Sequence, residues 1–229
     1  MNASEKFKTN GFCLIESAIT CELRDVITQY ALFDEMQNFK SESSQGRNQV
    51  PNAHSVYADP AMESLLLHLQ PVIEQTTGLN LFPTYSYYRI YRDGDELLPH
   101  TDRPSCEISA SLCLNYDYNN KDFEWPIFMN YEKMHQVAGD MVIYRGCDLQ
   151  HHREKMCIKD PEAWHLQGFF HYVDANGPYK EWKFDKRSSI GYLENSNVES
   201  SVYNDSIQKD RPCIYSTFGF SIFPRNCLA

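Results

Sequence analysis

Between residues 81 and 178 the chain returns repeatedly to one pattern, a short run of aromatic, β-branched and small residues followed by a turn. Tyr85-Ser86-Tyr87-Tyr88-Arg89-Ile90-Tyr91 is closed by Arg92-Asp93-Gly94-Asp95, and similar runs follow at residues 108–114, 141–144, 149–154 and 164–173. Strands this short bury their apolar sides only by packing two sheets together or by closing one sheet. The pattern therefore predicts a β-barrel or a double-sheet jelly roll. Residues 1–80 read as support. A short strand at Gly11-Phe12-Cys13-Leu14-Ile15 precedes a helix that begins at the capping-type Thr20 and carries Leu23, Ile27 and Ala31 at helical spacing. A second helix is expected over about residues 60–77, stopped by Gly78 and kinked or divided by Pro71. Residues 40–52 are polar and turn-rich, and read as a loop free to move over the core. Residues 179–229 form a C-terminal extension. Its Ser/Asn/Asp-rich part, 186–210, buries little, and its end is aromatic again at Tyr215, Phe218, Phe220 and Phe223. That end is expected to fold back onto the body or onto a second subunit, giving a homodimer.

Inside the strand-rich block stands His100-Thr101-Asp102. On an extended strand, residues two apart point the same way, so His100 and Asp102 are expected to face one ion together. The tripeptide alone is common by chance. It gains weight from a histidine on a later strand, at His151 or His152. Alternation separates these two: His151 brings Arg153 to its own face, whereas His152 brings Glu154, which would repel an acidic ligand. His151 is the favoured third donor, and His152 reads as a half-exposed or supporting residue. Two neutral imidazoles and a carboxylate on one face of an octahedral ion leave three positions open, as in non-haem Fe(II) oxygenases. A zinc hydrolase would need a positioned general base, and no HExxH motif is present.

The chain resembles the prolyl 4-hydroxylase-like branch of the Fe(II)/2-oxoglutarate-dependent oxygenases. The resemblance rests on Tyr91-x-x-Gly94 before the pair, on His100-x-Asp102 itself, and on Gly139-Asp140 a dozen residues before His151, and it spans roughly residues 80–175. It implies a mainly β fold with supporting α, a double-stranded β-helix of the jelly-roll, cupin-like type in a single domain with N-terminal helices. It also implies Fe(II), 2-oxoglutarate and O2, with metal and catalytic residues His100, Asp102 and His151. The expected outcome is hydroxylation of an unactivated C–H bond of a small molecule or amino acid, with release of succinate and CO2. Peptidyl hydroxylation and a non-catalytic jelly-roll binding protein are the rival readings. In the family a tyrosine near Tyr91 hydrogen-bonds 2-oxoglutarate, and a basic residue on the last core strand holds its far carboxylate. This chain offers His165, Gln167 and His171 there instead. Arg153 is therefore the expected anchor, with Lys155, Lys159, Arg89 and Arg103 behind it. The opposing reading has Arg153 at the rim, paired with Asp148 or Glu154. Arg103 reads as a partner of Glu107 or of an acidic substrate group.

The remaining composition sets boundaries. Lys and Arg number 21 against 31 Asp and Glu, a net charge of −10, which opposes a grip on nucleic-acid phosphates. Eight cysteines without a CxxC pair read as reduced thiols. No apolar run approaches the roughly 20 residues that span a bilayer, and the start lacks a signal-peptide pattern, so a cytoplasmic protein is expected. His54, His68 and His135 lie outside the expected strands and read as packing or surface residues.

Overall fold

The computed structural model describes residues 1–38, 49–51 and 53–191. Most of the expected loop at 40–52, and the expectations for the polar and aromatic C-terminal residues from 192 onward, lie outside the described residues. Met1–Tyr192 form one compact unit. Its elements run α1 (Ala3–Asn10), β1 (Phe12–Ile15), α2 (Cys21–Asn38), β2 (His54–Tyr57), α3 (Pro60–Thr77), β3 (Leu81–Arg92), β4 (Leu97–His100), β5 (Ile108–Asp117), β6 (Ile127–Met129), β7 (Glu132–Met134), β8 (Met141–Arg145), β9 (His151–Arg153) and β10 (Trp164–Asp174). A six-stranded sheet has the order β1-β8-β5-β10-β3-β2, and a four-stranded sheet the order β4-β9-β6-β7. All the pairings are antiparallel. The two sheets form a jelly roll, not a closed barrel.

Period-two alternation divides the large sheet into two faces of different chemistry. Outward, Tyr88, Ile90, Leu166, Phe170 and Tyr172 pack with Phe7, Leu66, Leu69 and Ile73 of the helices in one apolar core. Inward, Tyr85, Tyr87, Arg89 and Tyr91 of β3 stand opposite His171, Phe169, Gln167 and His165 of β10. This inner face is polar and aromatic although nearly all of it is buried. Smaller apolar clusters, including Leu97, Trp125 and Met156, and Phe12, Ile127 and Val142, close the space between the sheets.

The helical layer corrects several expectations. The first turn of the chain is itself a helix, α1, capped by Asn2 and Glu5 in a reciprocal capping box. Helix α2 starts where Thr20 was expected to cap, and the Thr20 hydroxyl accepts the Leu23 N–H at 3.3 Å. Pro71 does not divide α3, which runs unbroken from Pro60 to Thr77. The proline sits on the exposed side, so it removes one backbone donor while Leu65, Leu66, Leu69 and Ile73 hold the opposite face in the core. Gly78 ends the helix at φ 75°, a conformation that a Cβ disfavours. His54, expected outside the strands, opens β2. It is buried, and its Nε2 lies 2.8 Å from Asp34 Oδ2, which also accepts the Tyr88 hydroxyl at 2.6 Å.

Leu66 is fully buried between the helices and the sheet. Leu66→Ala should lower unfolding stability by about 2–5 kcal/mol, the usual cost of emptying such a site. Denaturant titration would measure this, and metal affinity should stay unchanged because the cavity opens on the outer side of the sheet.

Candidate metal centre

Strand β4 ends at His100, and its pairing with β9 sets His100 opposite His151 and Leu97 opposite Arg153. The alternation argument for His100 and Asp102 needs correction, because the strand has ended before Asp102. The Asp102 N–H instead donates to the carbonyl of Gly146 beyond β8, at 2.8 Å, and this bond swings the carboxylate toward the two imidazoles. Asp102 Oδ1 then lies 3.8 Å from His100 Nε2 and 3.6 Å from His151 Nε2. The three donor atoms lie within 4.8 Å of one another.

The ring tautomers follow from the partners. His100 Nδ1 is 2.8 Å from the Leu98 carbonyl and His151 Nδ1 is 3.0 Å from the Leu149 carbonyl. A carbonyl only accepts, so each Nδ1 carries the proton and each Nε2 presents its lone pair to the space beside Asp102. Burial lowers the His151 pKa to about 4 and lowers that of His100, with the neighbouring His151 contributing. Both rings are thus neutral near pH 7, as metal ligation requires. Burial pushes the Asp102 carboxyl up to about 6, outweighing the opposing effects of His100, the Ser109 hydrogen bond and Arg103. A divalent cation at this point would offset that cost. The donor set, its tautomers and its electrostatics fit such an ion.

Asp102 is held from behind by residues with no motif of their own. Ser109 Oγ lies 3.1 Å from Asp102 Oδ2, 3.1 Å from the Cys106 carbonyl and 2.9 Å from His171 Nδ1, so the hydroxyl sits between the carboxylate and the imidazole. Gly146 lies against the same carboxylate. A Cβ there would stand 2.5 Å from Asp102 Oδ2 and 2.2 Å from the Cys106 carbonyl. The sequence signal for Gly146 was only its position at a strand end.

His152 points away from the three donors and stacks on Phe128 at 4.6 Å. Arg153 is fully buried between the sheets, not at the rim, and pairs with neither Asp148 nor Glu154. Its guanidinium donates to the Trp125 carbonyl and, at 3.1 Å each, to Gln136 Oε1 and Gln167 Oε1. Its Nε has no partner, and no ion pair among the described residues includes it. Tyr91 is buried on the same inner face. Its hydroxyl accepts from Arg89 at 3.0 Å, and its ring meets the Trp125 edge at 4.9 Å. His165 bridges Tyr118 and Gln167, both at 2.7 Å, so His165 and Gln167 of β10 face the interior between the sheets. Lys155 and Lys159 are exposed. Arg103 pairs with Asp185 at 2.7 and 2.8 Å rather than with Glu107. A cavity of about 610 Å³ opens beside the three donors and is walled by Tyr57, Tyr85, Tyr87, Arg89 and Phe169.

No family model matches the chain, and no curated protein matches it. Solved structures do. A prolyl-4-hydroxylase from Pseudomonas putida is 18% identical with a TM-score of 0.55, over 74% of this chain and 96% of that one. The non-haem α-ketoglutarate-dependent epimerase SnoN from nogalamycin biosynthesis is 13% identical with a TM-score of 0.61, over 76% and 81%. HygX from Streptomyces hygroscopicus, solved with nickel and 2-oxoglutarate, is 12% identical with a TM-score of 0.55, over 75% and 86%. The chain has the double-stranded β-helix fold of Fe(II)/2-oxoglutarate oxygenases. The described residues contain no helix long and apolar enough to cross a membrane, and no disulfide joins any two of the described cysteines.

Gly146→Ala should reduce Fe(II) affinity by roughly tenfold or more, the range seen when a ligand's supporting contact is lost. Ser109→Ala should do the same more mildly. Equilibrium dialysis of the folded variants checks both, and wild-type affinity in Gly146→Ala would mean that Asp102 is not a ligand.

Proposed function

We propose that this chain is a non-haem Fe(II)- and 2-oxoglutarate-dependent oxygenase that hydroxylates an unactivated C–H bond of a small molecule or amino acid. The observation that carries the reading is the convergence of His100 Nε2, His151 Nε2 and Asp102 Oδ1 with both Nδ1 atoms tied to carbonyls. Three donors on one side of an ion leave the other side for a chelating cosubstrate and a gas. Bound Fe(II), 2-oxoglutarate and O2 supply an oxidative decarboxylation to succinate and CO2 that is coupled to oxidation of the substrate. Asp102 fills the position that a halogenase leaves vacant for chloride, which favours hydroxylation.

The chain's own residues bind, orient and exclude water. Arg153 is the residue we assign to the far carboxylate of 2-oxoglutarate. It lies two residues beyond His151 on β9, and its charge is met only by neutral oxygens, so burial lowers its pKa. An incoming carboxylate would supply the missing countercharge and a partner for the buried Nε. Tyr91, an acceptor toward Arg89, keeps its own proton to donate to the same cosubstrate. A cavity of about 610 Å³ lies in the size range of small-ligand sites, which favours a metabolite over a peptide.

With Fe(II), 2-oxoglutarate and a screen of amino acids and small metabolites, substrate-stimulated succinate release is expected. His100→Ala, Asp102→Ala and His151→Ala should each abolish it, whereas His152→Ala should be mild. Metal-replete protein that never forms succinate would instead be a jelly-roll binding protein. Under anaerobic conditions Arg153→Met should raise the Kd for 2-oxoglutarate a hundredfold or more, matching the roughly 3–5 kcal/mol lost when one side of a buried charge pair is removed. Unchanged affinity would remove Arg153 from that role. With labelled O2, one atom should enter succinate and one the product, and a chlorinated product would contradict the assignment of Asp102.

A further inference from the structure

We propose that Asp102, Cys106 and His171 form a second metal site, suited to a thiophilic divalent cation such as Zn(II), which shares Asp102 with the first. The fold itself brings the three together. Pro104 opens a single 3-10 turn, Pro104–Cys106, in which the Cys106 N–H donates to the Arg103 carbonyl at 2.8 Å, so Cys106 returns beside Asp102. His171 arrives from β10, where it stands opposite Ser109 of β5 and Tyr85 of β3. One donor atom from each of Asp102, Cys106 and His171 lies within 4.8 Å of the other two. All three residues line the cavity of about 610 Å³, so an ion can reach them from it.

The orientation of Asp102 allows the sharing. Its Oδ1 faces the two imidazoles, whereas its Oδ2 faces Ser109 Oγ at 3.1 Å, and that hydroxyl lies 2.9 Å from His171 Nδ1. One carboxylate oxygen is therefore turned toward each donor set. A buried thiol behaves by default as a small apolar side chain, but Cys106 Sγ is contacted by two hydroxyls, Tyr85 Oη at 3.1 Å and Ser105 Oγ at 3.8 Å. These contacts aim the sulfur and supply donors to a thiolate once it forms. Burial, and after it the Asp102 carboxylate, push the thiol up, so it keeps its proton until a cation arrives. Binding forms the metal–sulfur bond and releases that proton to solvent. Burial lowers the His171 pKa to about 3, which leaves its imidazole neutral, as ligation requires. A thiolate, an imidazole and a carboxylate make a softer set than the two imidazoles and carboxylate beside it, and they match the S, N and O ligands of zinc. The thiolate also brings a second negative charge, which offsets the repulsion between two dications holding one carboxylate. Three protein donors leave a zinc position for water or for a ligand from the cavity.

Anaerobic titration of the metal-free, reduced full chain with Co(II), followed by displacement with Zn(II), tests this. Two equivalents should bind, and one should carry a sulfur-to-cobalt charge-transfer band in the near ultraviolet that Zn(II) removes. Cys106→Ser should abolish the band and weaken one equivalent by more than roughly a hundredfold, beyond what loss of an outer-shell contact costs. His171→Ala should weaken the same equivalent, with circular dichroism showing that it is folded. Cys147→Ser, which alters the partly exposed thiol next to Gly146, should keep the band. His151→Ala should keep it too while losing the other equivalent. A single equivalent without the band, or a band that survives Cys106→Ser, would overturn the proposal. An unchanged thiolate-bound ion in Asp102→Ala would do the same, because the two sets would then share nothing. The band reports sulfur ligation whether or not the protein turns over 2-oxoglutarate, so failure of the oxygenase reading would leave this result standing.

Discussion

Strand β10 is the member on which the rest of the structure depends. It pairs along one edge with β3 and along the other with β5 over nearly its whole length, so it joins the two halves of the large sheet. Its alternation forces two environments onto one backbone. Leu166, Phe170 and Tyr172 enter the helix-facing core, whereas His165, Gln167, Phe169 and His171 enter the chamber between the sheets. Shifting the register by one residue would put imidazoles against the helices and phenyl rings against the donors, so the apolar side enforces the placement of the polar side. The stability of the outer layer is therefore what holds the chemistry of the inner one in position.

The donor cluster is assembled by backbone before side chains matter. Pairing of β4 with β9 brings two imidazoles together, and the Asp102 N–H bond to Gly146 brings in the carboxylate from a third direction. The Nδ1 bonds to carbonyls two residues back are local, so each ring is oriented by its own strand without any metal. Preorganisation of this kind lowers the reorganisation needed on binding. Its cost appears in the raised pKa of Asp102, a carboxylate kept dry with two neutral neighbours.

Much of this was readable in the sequence, and the exceptions have physical reasons. The strands at 85–91, 108–114, 141–144 and 164–173 were recognised because each has several residues over which alternation or β-rich composition can be seen. Strands β6 and β7, three residues each, are too short for any period. Alternation separates His151 from His152 because β9 is regular through His151, His152 and Arg153, which sets His151 beside His100 and Asp102. The same parity argument failed for Asp102, which is reached by a turn, although the pair still meets. Helix α1 was passed over although Asn2 and Glu5 spell its cap. Ser109, Gln136 and Gly146 could not have been found from local pattern, since their roles exist only where distant segments touch. Lys155 and Lys159 stand behind Arg153 on sequence alone because they follow the strand, and burial separates them further, Arg153 being fully buried and both lysines exposed.

The two glutamine amides around Arg153 have a consequence for exchange. Gln136 and Gln167 each present a carbonyl oxygen to the guanidinium, and each is held in that orientation by its own NH2 group, Gln136 donating to the Ser111 and Asp140 carbonyls and Gln167 to the Ser111 hydroxyl. The arginine is thus solvated by side chains that cannot diffuse away. A carboxylate arriving there replaces fixed neutral acceptors and need not strip a hydrated ion.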